Sequence, residues 1–330
     1  MAPAALITSG RAGCTACGGL LLAAAAASAD EGATGVWVSG QFSSFAAVPS
    51  SPGFSFPLVY YHASQSASAS REFLIGGELV GGIDVRSDLA FFNPTWSFPD
   101  ALLGGQLEVT LAWAAGNVSV RVDGVLSHCT GTQCTPVVSG GRSSTQFGGS
   151  DIGPLLALKW THGNHYNMAY LLGNVPTGAY EVDRLANIGL HHWAIDGGYG
   201  YSYLDEQKGH DLSVVAGVTY NFENPATDYR NGLDSHLDFA ASQFLNEHWH
   251  VGLVGYAYYQ LSADSGSGAH ARLGGFQARV FALGPEAGFS FPMKGDQAYL
   301  SLRGYWEFGA KNRPEGWNAY LTCALPIGGK

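Results

Sequence analysis

Charge is scarce in this 330-residue chain: Asp, Glu, Lys and Arg make up 13% of it, about half the share of a typical soluble domain. Long apolar runs are missing as well. No stretch approaches the roughly 18 consecutive apolar residues of a membrane-crossing helix, which excludes helical spans. The 16 basic residues are outnumbered by 26 acidic ones, and no basic run occurs. That excludes a sequence-independent grip on nucleic acid. No G-x-S-x-G, P-loop or paired-glycine dinucleotide fingerprint is present. What the chain has instead is 46 glycines and a 12% aromatic share made of 17 Phe, 16 Tyr and 8 Trp. Mean hydropathy is nevertheless only +0.04. Such apolar content with little charge also excludes intrinsic disorder.

The N-terminus carries one uniformly apolar stretch, Gly18 to Ala27, preceded by Arg11 and followed by the small-residue site Ala27-Ser28-Ala29. This is the layout of a secretory signal peptide over residues 1–29, too short to anchor as a helix. The Cys14/Cys17 pair lies ahead of the apolar stretch and would leave with the peptide. In the exported chain, Cys129 and Cys134 sit in a polar segment and are expected to form a disulfide. Cys323 lies within an apolar alternation and is read as an inert thiol.

Beyond the leader, the dominant period is two. From Leu212 to Phe222 the even positions read Leu212, Val214, Ala216, Val218, Tyr220 and Phe222, and the residues between them are small or polar. Leu300, Leu302, Trp306 and Phe308 oppose Tyr299, Ser301, Arg303, Tyr305 and Glu307 in the same way. Leu107, Val109, Leu111 and Trp113 form one apolar face, and Val118, Val120 and Val122 form another. Strands are expected over 34–42, 54–64, 73–92, 104–115, 117–126, 153–163, 165–174, 190–203, 210–222, 233–245, 248–261, 274–291, 297–309 and 316–327. Many have the roughly 9–11 residues that a tilted strand needs to cross a bilayer. Short links such as Gly116-Asn117 and Gly163-Asn164 alternate with long ones such as Asn93–Leu103 and Ser127–Ile152. A β-sandwich gives no reason for that alternation. An outer-membrane barrel does, having short periplasmic turns and long outer loops. The expected fold is therefore all-β: an antiparallel transmembrane β-barrel of 12–14 strands, 14 as counted here, over residues 53–330. Residues 30–52 form either its first strand or a plug. The expected location is the outer membrane of a Gram-negative bacterium.

Several motifs support a family resemblance. VTYNFENPATDY, LDSHLDFAASQFL, WHVGLVGYAYYQLSADSGSGA, LRGYWEF and AKNRPEGWNAYLTCALPIG resemble the outer-membrane family linked to the meta-pathway of phenol degradation, the SphA-type transporters. The resemblance runs from about Leu155 to Ile327, and more weakly over Gly35–Tyr61. It implies uptake of aromatic or other small hydrophobic compounds across the outer membrane. It carries neither a defined substrate nor a binding site.

Charged residues that the alternation turns inward are the candidates for setting pore field and selectivity: Glu108, Arg121, Asp123, Lys159, Asp211, Asp238, Arg279, Arg303 and Glu307. Cross-strand ion pairs that merely fill the lumen are the competing reading. Tyr256, Tyr258, Phe281 and Tyr305 share the inward register and are candidate stacking surfaces for aromatic solutes; packing of a narrow lumen is the alternative. The segments holding Asn224, Pro225, Asp228 and Tyr229, and Asn312, Arg313, Pro314, Glu315 and Trp317, are placed outside the cell. They serve either as an entrance and constriction or as plain turn chemistry.

The eleven histidines show no convergent ligand set, so neither metal nor cofactor is expected. Ser235 and His236 point to opposite strand faces, which argues against a nucleophile–base pair. Expected partners are outer-membrane lipid, small hydrophobic or aromatic solutes, and the barrel-assembly machinery during insertion. The leading function is a passive channel for such solutes. A structural or adhesive barrel with partner-binding loops is the second reading, and a membrane hydrolase the third.

Overall fold

A computed structural model describes residues 35–75, 78–130, 133–182, 184–266, 277–293 and 296–326. The expected signal peptide and Cys14/Cys17 lie outside these residues. The chain forms strands β1 (Gly53–Ile75), β2 (Glu78–Phe92), β3 (Thr95–Leu102), β4 (Gly105–Thr130), β5 (Gln133–Gly149), β6 (Gly153–His162), β7 (His165–Asn174), β8 (Ala194–Asp205) and β9 (His210–Asn221). They are followed by β10 (Tyr229–Arg230), β11 (Asp234–Phe244), β12 (Trp249–Gln260), β13 (Ser265–Gly266), β14 (Arg279–Met293), β15 (Asp296–Lys311) and β16 (Glu315–Pro326). Twelve strands close an antiparallel barrel. The seam is made by β16 pairing back onto β1 from Ser55↔Pro326 to Ser66↔Glu315. Closure leaves no barrel strand with a free edge, the condition for a sheet in hydrocarbon, and the β14–β15 ladder lapses only locally, between Leu283↔Trp306 and Glu286↔Arg303.

The expected count of 14 differs from the observed 12 at two places. Residues 35–52 contain no strand and run inside the barrel. The expected turn at Gly116-Asn117 lies in the middle of β4, which continues unbroken for 26 residues. A third expectation also changes, because Asn93–Leu103 is not a long link. Its β3 continues β2 in one register, with Leu58 facing Phe92 and Phe54 facing Trp96 on β1. Pro94 has no N–H to donate, so the ladder lapses for two residues and then resumes. The actual turn is Leu103-Gly104, both at positive φ (51° and 76°), as a tight two-residue hairpin turn requires.

The outward face of the membrane belt is apolar. Leu58, Trp96, Leu111, Leu156, Leu171, Ile195, Leu212, Leu253, Leu283, Leu302 and Leu321 are all exposed. Tyr220, Phe222, Trp193 and Tyr259 stand exposed at the long-loop end and Trp249 at the short-turn end, as aromatic girdles do.

Above the belt, β1, β2, β4 and β5 extend as a crown. The expected loop Ser127–Ile152 is mostly this β4–β5 hairpin, in which the ladder sets Cys129 opposite Cys134. The cysteine side chains lie outside the described residues, so their disulfide stays an expectation. Inside the crown Val80, Ile83, Val85, Val118, Val120, Val122, Leu185 and Ile188 form a core.

Candidate functional site

Each strand that reaches the bilayer turns alternate residues inward, and the inward set is polar. Lys159 on β6 lies 2.9 Å from Glu108 on β4, and both are buried. Asp211 on β9, Asp238 on β11, Glu286 on β14 and Arg303 on β15 are likewise buried inside the ring. Water does not solvate them. The N-terminal segment does.

Residues 35–52 thread the lumen, and the wall groups bind their backbone. Gly40 N–H donates to Asp238 Oδ1 at 2.9 Å and Phe42 N–H to Asp238 Oδ2 at 3.1 Å. Phe45 N–H donates to Ser213 Oγ at 3.0 Å and Ala47 N–H to Ser202 Oγ at 3.0 Å. Ser50 N–H donates to Glu108 Oε1 at 2.8 Å, and Lys159 Nζ donates to the Val48 carbonyl at 3.1 Å. Arg303 donates to Ser43 Oγ and to the Gln41 carbonyl, each at 3.0 Å. A chain with no strand partner must find its hydrogen bonds elsewhere, and here the lumen carboxylates and cations supply them. Gly40 is required at its place: its φ is +82°, and a Cβ there would sit 2.9 Å from the rings of Tyr256 and Tyr305.

Toward the outer end the lumen is walled by tyrosines. Tyr61, Tyr256, Tyr305 and Tyr320 pack ring on ring, with centroids 4.8 Å apart for Tyr61–Tyr320 and 5.1 Å for Tyr256–Tyr305. Three of these hydroxyls are committed: Tyr256 donates to Glu307, Tyr305 to the Gly40 carbonyl and Tyr320 to the Ser39 carbonyl, and the neighbouring Tyr258 donates to Asp234. Glu307 also accepts from Gln65 Nε2 and lies 3.5 Å from Arg313, whose guanidinium stands over the Tyr258 ring. The cavity between these groups and the N-terminal segment measures about 40 Å³. That is room for a few waters, far below the few hundred Å³ of a site for an organic ligand.

Glu108, Lys159, Asp211, Asp238, Arg303 and Glu307 thus converge inside, with Tyr256, Tyr258 and Tyr305. Arg121, Asp123, Arg279 and Phe281 do not. Arg121 and Asp123 face water on the outer side of the crown; Arg279 and Phe281 face outward on β14. Along β14 the pleat is regular, with Arg279, Phe281, Leu283 and Pro285 all facing out, so the expected inward phase of Arg279 and Phe281 is one residue off. Leu283 and Pro285 face out, so Glu286 faces in. The lipid-facing Leu283 was the available signal for Glu286. Sequence reasoning missed the buried cluster of Asp196, Tyr170 and His236, since its members stand on three strands, β8, β7 and β11, and meet only inside the closed barrel.

Asn224-Pro225 opens a tight turn in which Asn224 Oδ1 accepts the Ala226 N–H at 3.0 Å and Asp228 takes a positive φ. Tyr229 is buried and donates to Asp264. The second outer segment is shorter than expected: only Asn312–Pro314 is a link. Glu315 begins β16, and Trp317 faces outward beside Trp306. No group of three or more potential metal ligands is found among the described residues. Ser235 Oγ donates to the Tyr259 carbonyl on the outer face, whereas His236 points inward.

The family model described as "Putative MetA-pathway of phenol degradation" matches residues 70–322. The chain belongs to this family. The COG4313 outer membrane channel from Pseudomonas putida F1 has a similar structure, with TM-score 0.62 at 14% identity, covering 83% of this chain and 95% of that one. A Pseudomonas aeruginosa FadL homologue follows, with TM-score 0.39 at 10% identity over 82% of this chain and 89% of that one. Among curated proteins no significant match is found. The closed barrel of this family member is an outer-membrane channel fold, and the outer membrane of a Gram-negative bacterium is its location.

Proposed function

We propose that the protein is a passive channel for small hydrophobic or aromatic compounds, closed by a movable plug made of residues 35–52. The observation that carries this reading is how the plug is held. Its backbone bonds to side chains of the wall and joins no strand ladder. Each such bond contributes on the order of 1 kcal/mol net, more where a charge takes part, and water can replace it. A segment fixed by the barrel ladder would have no comparable route out. The family's link to phenol degradation and the tyrosine-walled outer lumen point to aromatic solutes.

The test is solute flux into liposomes carrying the refolded protein, comparing phenol with a sugar of similar size after subtraction of empty-vesicle leakage. Acceleration of phenol alone supports the reading. Equal acceleration of both would make the protein a general diffusion pore, and no acceleration of either would contradict a channel.

A second route has its own observation. On the barrel's outer surface Pro285 faces β15 without a ladder partner, because pairing lapses between Leu283↔Trp306 and Glu286↔Arg303. A concavity of about 690 Å³ lies there, lined by Val251, Pro285, Leu302, Trp306 and Trp317 together with the lumen residues Arg303 and Tyr305. Solutes leaving through the wall would pass at this point. Widening it with Trp306→Ala would then raise phenol flux without raising sugar flux, whereas a parallel rise in both would assign the effect to the axial pore.

A further inference from the structure

Tyr170, Gly198, Gly217 and His236 form one row across β7, β8, β9 and β11, each opposite the next in the ladder. The two middle positions have no side chain, and none would fit. A Cβ on Gly217 would fall 2.1 Å from the Tyr170 hydroxyl and 2.7 Å from the His236 ring, and one on Gly198 would fall 2.5 Å from the same hydroxyl. The bare wall lets the tyrosine and histidine lean across and meet, with Tyr170 Oη 3.2 Å from His236 Nε2. From the adjoining row, Asp196 Oδ2 lies 2.9 Å from His236 Nε2 and accepts the Thr219 hydroxyl. The imidazole plane is thereby fixed.

Trp37 of the plug lies flat on that plane. The two ring centroids are 3.5 Å apart at an interplanar angle of 13°. Phe42 covers it at 5.4 Å and Tyr170 flanks it at 5.6 Å. This is a slot shaped for one planar ring, and its polar groups are incompletely used. Trp37 Nε1, His236 Nδ1 and Asp196 Oδ1 are all buried without a hydrogen-bond partner. A buried polar atom left unpaired is destabilising, so the indole matches the slot in shape but not in hydrogen bonding. A smaller ring bearing a hydroxyl can keep the stack on His236 and donate to a free acceptor at its edge.

From this geometry we infer that the Trp37 slot is the solute-binding site: a phenol-like ring takes the place of the Trp37 indole on His236, and that exchange releases the plug. Trp37 acts as a tethered internal competitor. The inference rests on the aromatic-uptake reading and adds the residues that recognise the ring. It also couples recognition to opening, since a ring in the slot and Trp37 in the slot exclude each other.

The experiment is binding of 4-fluorophenol to the detergent-solubilised, full-length protein, followed by fluorine NMR, with cyclohexanol as a non-planar competitor. Folding of every variant is checked by its gel shift on heating. Trp37→Ala empties the slot and is expected to tighten binding about tenfold or more, since an occupied slot lowers apparent affinity by the fraction that is free. Trp37→Phe restores a planar ring and is expected to stay near wild type. His236→Ala added to Trp37→Ala is expected to abolish the gain. Unchanged binding in Trp37→Ala, or competition by cyclohexanol as strong as that by phenol, would overturn the inference. Liposome flux separates the two claims. Phenol flux equal to sugar flux, with tight binding in Trp37→Ala, would sink selective uptake and leave the slot. Selective phenol flux with no Trp37→Ala gain would sink the slot and leave the uptake.

Discussion

The lower and upper halves of β4 obey one pleat and opposite chemistry. From Leu107 to Trp113 the outward residues are apolar, and the inward ones include Glu108 and Thr110. From Val118 to Val122 the inward residues are valines, while Asn117, Ser119 and Arg121 face out. No bulge or turn intervenes, and even positions face in throughout. What changes is the surroundings. In the lower half the outside is hydrocarbon and the inside holds a polar backbone segment. In the upper half the outside is water and the inside is a dry core closed by Leu185 and Ile188. Polarity therefore reports the medium on each side of a strand, and its inversion marks the membrane surface rather than a reversal of the chain.

The sharpest break of this comparison is Leu111→Arg. It places a charge in the lipid belt near mid-depth and is expected to destabilise the barrel by about 2–4 kcal/mol, measured by denaturant titration in vesicles. Val120→Ala removes two buried methyl groups from the crown and is expected to cost roughly 2 kcal/mol. That loss should register as faster proteolysis of the crown, with solute flux unchanged. Ser119→Arg, outward in the upper half, is expected to stay within about 0.5 kcal/mol of the parent. If Ser119→Arg destabilised as much as Leu111→Arg, the membrane surface would lie above Ser119 rather than near Gly116.

The smallest effect is expected at the periplasmic turn after β8. Asp205 accepts the N–H groups of Lys208 at 3.0 Å and Gln207 at 3.1 Å; the Lys208 backbone bond foremost, with the Lys208 and Tyr203 side chains, holds its carboxyl below the usual carboxylate range. A lowered folded-state value means that its contribution is present above the ordinary carboxylate range and is lost as pH falls through the depressed value. Hydrogen exchange at Gln207 and Lys208, compared between neutral and strongly acidic pH, should report that loss. Asp205→Asn should flatten the dependence.

The same contrast shows how much was legible in the sequence. The barrel could be read because each lipid-facing strand shows its alternation within ten residues, as Leu212 to Tyr220 does. The family was legible from its C-terminal motifs. Strand number was not. The polarity inversion near Gly116 looks like a turn when only one chain is read, and Pro94 makes one long strand look like a strand and a loop. Glu108, Lys159, Asp211, Asp238, Arg303 and Glu307 were legible as inward residues. The same inversion makes Gly116-Asn117 look like a turn and the Val118–Val122 face look lipid-facing, which places Arg121 inward in a single-chain reading although it faces water. The Trp37–His236 slot was invisible, since its members come from the N-terminal segment and four strands. Only the closed barrel brings them together.

Locking the plug tests its role most directly. Ala47 N–H donates to Ser202 Oγ at 3.0 Å, so Ala47→Cys with Ser202→Cys, in a background in which Cys129, Cys134 and Cys323 are each replaced by Ser, allows the plug to be tied to the wall by oxidation and freed by reduction. Phenol flux into liposomes is expected to fall to the empty-vesicle rate when the pair is oxidised and to return to the parent rate when it is reduced. Equal phenol flux in the two states, with the disulfide confirmed by mass, would contradict a channel gated by residues 35–52.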